Sequence, residues 1–215
     1  MKRAFLAVLC AVLCVGVRAQ THGGVQDVNV DFMLRGYFYA GSKIVDKNAP
    51  GGFGTSDNFP RAIIPEMKVQ EGRLSLVVLP DEEAVFAQKY RGLKVLVVNA
   101  TSDPVGLAAS DSRLNIVQEA LDRDGQWKPI EYLPSSWCGN SHHTVYLGPQ
   151  EYWDFNAARY TGRFKTKIRV TLNQRISNDQ IMVIHSNEYD GGVNPNQFKM
   201  QQGHKPNSIM DPYNN

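Results

Sequence analysis

From residue 163 to 172 the chain alternates with a period of two. Phe164, Thr166, Ile168, Val170 and Leu172 fall on one side, and Arg163, Lys165, Lys167, Arg169 and Thr171 on the other. This is the pattern of a half-buried antiparallel strand, one face on a core and one in water. Residues 74–79 and 93–98 are shorter runs rich in Val and Leu that end at Pro80 and Asn99, and they predict buried strands. Residues 113–121 lead into Asp122-Arg123-Asp124-Gly125 and then 126–130. Asp-Gly supplies the positive φ of a tight turn, so this segment predicts a hairpin. Residues 144–147, the Gly148-Pro149 break and residues 151–155 predict a second strand pair around a turn. Residues 181–184, Ile-Met-Val-Ile, predict the last strand.

No amphipathic stretch long enough for a helix of ten or more residues competes with these strands. The expectation is therefore an all-β protein, an immunoglobulin-like or Greek-key β-sandwich of about seven to nine antiparallel strands, with a barrel as the alternative. The predicted organisation is a leader over 1–19, an N-terminal segment over 20–67 with a strand and a Gly/Pro-rich loop, a sandwich over 68–186, and a long irregular tail over 187–215. The loop, DKNAPGGFGTSDNFP at 46–60, is too long for a simple connection. The tail is rich in Asn, Gly and Pro, with scattered apolar residues that include Phe198 and Tyr213. If the strand at 163–169 lies at a sheet border, its cations discourage edge-to-edge pairing.

The N-terminus changes the accounting of charge and cysteine. Met1-Lys2-Arg3 precedes an apolar run of 14 residues, Ala4 to Val17, and Val17-Arg18-Ala19 suits a signal peptidase, with the cut expected after Ala19. The run is shorter than the roughly 18 residues a spanning helix needs, so export without a membrane span is expected. Removing residues 1–19 leaves 20 basic against 21 acidic side chains, so the basic pI of about 8.4 belongs to the precursor. A near-neutral chain has no global charge with which to seek nucleic acid. Of three cysteines, Cys10 and Cys14 lie in the leader, and only Cys138 remains.

The run SRLNIVQEALDRDGQWKPIEYLPSSWCGNSHHTVYLGPQEYWDFNAARYTGRFKTKIRVTL at 112–172, with SKIVDKNAPGGFGTSDNFPRAIIPEM at 42–67, resembles segments of uncharacterised secreted bacterial proteins of immunoglobulin-like fold. The resemblance implies the exported compartment and the sandwich, and it carries no activity.

Candidate chemistry is sparse. Trp137-Cys138-Gly139-Asn140-Ser141 lacks the second cysteine and the following helix of a thioredoxin-type redox motif. Cys138, His142 and His143 are the metal or thiol candidates. Adjacent histidines on a strand point to opposite faces, so at most one shares a site with Cys138. Glu119, Glu131, Glu151 and Asp154 become acid–base groups only if the fold sets two of them across a substrate. Asp46, Asn48, Asp57 and Asn58 fit turn chemistry better than a calcium loop. Trp127, Tyr132, Trp137, Tyr152 and Trp153 either stack sugars or fill the core.

The row Arg163, Lys165, Lys167, Arg169 places cations on one strand face about 7 Å apart, facing either an anionic partner or acidic cross-strand neighbours such as Glu151 or Asp154. The sequence thus points to an exported, non-enzymatic interaction or structural subunit of a cell-envelope or extracellular assembly, with no cofactor and no nucleic acid. A protein partner is expected, docked by Arg163, Lys165, Lys167, Arg169, Phe198 and Tyr213, with an anionic glycan as a further ligand. A metal or thiol protein and a carbohydrate-binding module are the competing classes.

Overall fold

A computed structural model of the protein describes residues 24–134, 139–175 and 180–203. The expected leader, Cys138, Trp137 and Tyr213 lie outside the described residues. The strands in chain order are β1 (Leu34–Arg35), β2 (Arg61–Ala62), β3 (Leu74–Phe86), β4 (Tyr90–Asn99), β5 (Val105–Ser110), β6 (Arg113–Leu114) and β7 (Ile116–Leu121). They continue with β8 (Trp127–Pro129), β9 (Glu131–Tyr132), β10 (His142–Leu147), β11 (Glu151–Ala158), β12 (Phe164–Arg175), β13 (Ile181–His185) and β14 (Tyr189–Val193). Helical structure among the described residues is limited to two short 3-10 turns, Gly139–Ser141 and Pro195–Phe198. The all-β class is therefore as expected, and the long strand over 164–175 buries Ile168, Val170 and Leu172 completely.

The strands form a sandwich-like set of antiparallel sheets. One has the order β2-β11-β4-β3, a second β13-β12-β7-β8 with β14 beside β12, and a third β10-β5-β6. Only β1 and β9 pair in parallel among the named strands. The core cluster includes Trp153, Leu93, Val95 and Val97 of the first sheet, Ile116, Ile168 and Leu172 of the second, and Leu107, Leu147 and Val145 of the third. The N-terminal segment enters the same core with Val28, Phe38 and Ala40. Its backbone is tied in by Leu114 N–H to the Phe38 carbonyl at 2.9 Å and Ala40 N–H to the Ser112 carbonyl at 2.8 Å.

Four expectations are corrected. First, residues 144–147 and 151–155 are strands, but they are not a pair: β10 bonds to β5 and β11 to β4. The chain changes sheets through Gly148-Pro149-Gln150, and the buried Asn99 amide donates to the Leu147 and Gly148 carbonyls at 3.0 and 2.9 Å. Second, β12 is an interior strand, flanked by β7 on one side and by β13 and β14 on the other. Its cations therefore do not guard an edge. Third, β13 is not the last strand. Fourth, the described part of the expected irregular tail is folded: β14 pairs Tyr189 with Ile168 and Val193 with Phe164, and Gln202 N–H donates to the Met33 carbonyl at 2.9 Å.

A buried carboxylate lies where these elements meet. Glu131, 1% exposed, accepts from the Tyr37 hydroxyl at 2.6 Å, the Tyr160 hydroxyl at 2.7 Å, Gln118 Nε2 at 3.0 Å and Gln118 N–H at 2.9 Å. The Tyr37 hydroxyl in turn accepts from Ala158 N–H at 3.0 Å, and the Tyr189 hydroxyl donates to Gln118 Oε1. Burial raises the Glu131 pKa and the surrounding donors pull it back, with burial the larger effect. Burial beside that carboxyl also pushes the phenols of Tyr37, Tyr160 and Tyr189 upward, so all three remain proton donors.

Glu131→Ala leaves at least two phenols and one backbone N–H without an acceptor. At about 1–3 kcal/mol for each orphaned buried group, the expected loss is at least about 3 kcal/mol in urea unfolding. Glu131→Gln keeps one oxygen for the phenols and sets its amide against Gln118 N–H, so its expected loss is about 1–2 kcal/mol. Identical midpoints for wild type and Glu131→Ala would remove the network from the account of stability.

Candidate functional site

The irregular segment after Ala40 runs along the open side of β10 without forming a strand. Ser42 Oγ accepts from Tyr146 N–H at 3.1 Å, and Asp46 Oδ2 accepts from Thr144 N–H at 2.8 Å. Two side chains, spaced to reach residues i and i+2 of the strand, thus satisfy edge donors that a neighbouring backbone would otherwise take. Asp46 Oδ1 also accepts from Asn48 N–H at 2.9 Å. Those two backbone donors, Thr144 first, hold the Asp46 pKa below its ordinary value. Asp46 and Asn48 therefore serve a local turn and an edge cap.

Behind this strap lies a hollow of about 380 Å³ whose walls include Ile44, Val45, Phe53, Phe59 and His143. Val45 is 78% exposed and Phe59 49%, so the rim is apolar and open to water. As expected of neighbours on a strand, His142 is exposed and His143 is buried. The His143 ring stacks on Phe53 with centroids 3.7 Å apart. Its Nδ1 lies 3.1 Å from the Ser141 carbonyl, which only accepts, so Nδ1 carries a proton. Nε2 is 3.4 Å from Ser112 Oγ, but the Ser112 hydroxyl donates to the Gly54 carbonyl at 2.8 Å. That hydroxyl is buried and committed to holding the loop, so the pair lacks the exposed, base-directed geometry of a nucleophile. Ser112 and Asp111 form the β5–β6 turn at positive φ, 63° and 49°.

The remaining predicted residues are dispersed. No group of three or more His, Cys, Asp or Glu side chains is placed to hold a metal among the described residues. Glu119 is bonded to Arg169 and Thr171, Glu151 to Lys43 and Gly148 N–H, and Asp154 to Lys94 and Arg61. With Glu131 bonded in the core, each of the four carboxylates is committed to partners within the fold. Trp153 is fully buried and donates to the Gly41 carbonyl at 2.9 Å, and Trp127 lies 4.2 Å beneath the Arg169 guanidinium, which removes both from a sugar-stacking platform.

The basic row is divided. Arg169 turns onto Glu119, Lys167 pairs with Asp190 at 2.8 Å, and Arg163 precedes β12. The acidic neighbours are thus Glu119 and Asp190, in place of the expected Glu151 and Asp154, which belong to the other sheet. Phe198 is half-buried against the core and lines a hollow with Phe164 and Pro195. Ser42, Phe53 and Ser112 were not singled out in the sequence, because nothing local marks a loop serine as the cap of a strand a hundred residues away. The chain matches no known family model, no curated protein and no solved structure.

The Asp46 cap has a defined pH dependence. Above the ordinary aspartate range its contribution is fully present; as pH falls through the unfolded-state value and then the lower folded-state value, protonation removes it. Amide exchange at Thr144, normalised to the intrinsic rate, is therefore expected to lose protection on acidification from about pH 5 to about pH 2. Asp46→Asn is expected to abolish that extra dependence, and parallel profiles for the two proteins would contradict the assignment.

Proposed function

We propose that this protein is an exported, non-catalytic interaction module that serves as a structural subunit of a cell-envelope or extracellular assembly. The carrying observation is the edge of β10, closed among the described residues by Ser42 and Asp46 side chains beside an apolar hollow. An extended segment of a protein partner that displaces the strap gains the Thr144 and Tyr146 backbone groups, and its alternate side chains gain the hollow. The commitment of all four candidate carboxylates to internal partners supports the non-catalytic part of the reading. Export rests on the N-terminal sequence, with no helix among the described residues long and apolar enough to cross a membrane. The finer reading of the sandwich as an immunoglobulin-like Greek key belongs here too, supported by non-sequential neighbours such as β7 beside β12 and β4 beside β11.

Deleting residues 187–215 is a poor test, because β14 is part of a sheet. A photo-crosslinking residue at Val45, on the strap, is the direct one, with the same residue at exposed Glu82 of β3 as control. In the native envelope, position 45 is expected to yield one discrete protein adduct that position 82 does not. The same adduct pattern at both positions, or none at 45, would sink the docking reading.

A further inference from the structure

A groove of about 550 Å³ opens where residues 159–161, β12 and β14 meet, lined by Arg159, Lys165, Lys167, Asp190, Gly191 and Gly192, with two threonines and buried Tyr160. Its floor is glycine by steric necessity. A Cβ at Gly192 would stand 2.2 Å from the Gly162 carbonyl oxygen and 3.0 Å from Lys165 Nζ; one at Gly191 would stand 2.5 Å from Ile168 Cδ1. The Lys165 ammonium therefore lies over bare backbone, in space that a side chain at 192 would contest.

Three cations line this groove against Asp190, with Glu188 near enough to Lys167 to act on it through its charge. Lys165 has no carboxylate within ion-pair distance among the described residues, and Lys167 is paired only with Asp190, itself 86% exposed and free to swing out. Arg159 gives Nη2 to the Pro80 carbonyl, which fixes its guanidinium fork. The lysines sit two residues apart on one strand, about 7 Å along it.

We propose that this groove binds the carboxylate or sulfate groups of an acidic polysaccharide. The site is independent of the β10 edge. A single-stranded nucleic acid would call for exposed aromatic rings to stack its bases, and the groove's one aromatic residue, Tyr160, is 1% exposed. A lipid surface would call for apolar side chains at the rim to enter it, and none lines this groove. An open, polar, cationic channel with no hydrophobic anchor instead matches a hydrated chain carrying anionic groups at intervals.

Calorimetry with the full chain tests this, using polygalacturonate oligomers and a sulfated hexasaccharide, with neutral dextran, anionic phospholipid vesicles and inorganic sulfate as comparators. At low salt at least one acidic glycan is expected to bind, and affinity falls as salt rises. Lys165→Glu is expected to weaken it about tenfold or more, and Asp190→Asn to strengthen it about threefold by freeing Lys167. The gain in the second variant is a response that misfolding does not produce. Ser42→Ala with Asp46→Ala is expected to leave glycan affinity unchanged, so this site and the docking edge fail separately. Absence of binding to both acidic glycans, equal affinity in the Lys165→Glu variant, stronger binding to vesicles, or equal competition by inorganic sulfate at matched charge would each overturn the proposal.

Discussion

The burial of Glu131 is the constraint that the rest of the molecule must satisfy. A carboxyl group 1% exposed is tolerated only where donors are fixed around it, because an uncompensated charge in the interior costs several kcal/mol. The donors come from far apart in the chain. Tyr37 belongs to the N-terminal segment, Gln118 to β7 and Tyr160 to the link after β11, while Tyr189 of β14 reaches the same cluster through Gln118. Each can donate only if its own segment is in place, so the network ties the arrangement of strands and links to a single polar point. It also explains why the segments before residue 68 and after residue 187 are parts of the same core: the carboxylate lacks partners without the first, and Gln118 lacks one without the second.

The same substitution of side chain for strand recurs at the sheet margins. Asn187 donates to the Val78 carbonyl at 2.9 Å and accepts from Val78 N–H at 2.8 Å, as a neighbouring strand would. Gln174 Oε1 accepts from Ala108 N–H at 2.9 Å beyond the point where β6 stops. Edge backbone left bare is a template for unwanted pairing, and short edge strands such as β2, β6 and β8 together with these caps limit how much is offered.

The elements legible in the sequence are those whose signal is local. The alternation over 164–172 needs only the period of a strand, and the hairpin from β7 to β8 needs only Gly125 at φ 74° and Asp122, whose Oδ1 accepts from Asp124 and Gln126 N–H. Gly148-Pro149 reads locally as a turn, and whether a turn returns to its own sheet or crosses to another depends on Asn99, some fifty residues earlier. β14, Tyr-Asp-Gly-Gly-Val, has neither alternation nor β-branched density. Its glycines are required by the close approach of Gly162 and Ile168, which no composition argument contains. Glu131 reads as one surface charge among many. Likewise the basic row was visible as a row, but which cations are neutralised depended on strand register, which brought Glu119 and Asp190 opposite it and Arg159 beside it.

The caps differ in how they are held, and this separates an edge that stays shut from one suited to opening. Asn187 makes two bonds to a single residue and stands between β13 and β14, both hydrogen-bonded to β12, so withdrawing it requires disturbing a sheet. Ser42 bonds the Tyr146 N–H and carbonyl, and Asp46 the Thr144 N–H, from a segment that has no ladder of its own, with Ile44 and Val45 turned to water between them. Their release exposes strand donors without unpicking any strand pair, and the cost is confined to local bonds that an incoming backbone can replace. The readily released cap thus lies beside a hollow whose apolar rim faces solvent. The glycine-floored groove follows the opposite logic. Its backbone is locked by Gly162 N–H to the Gly192 carbonyl at 2.8 Å and Gly192 N–H to the Tyr160 carbonyl at 3.1 Å. A hydrogen-bonded backbone floor with solvent-facing ammonium groups above it suits a ligand that differs in detail from repeat to repeat but keeps its charge.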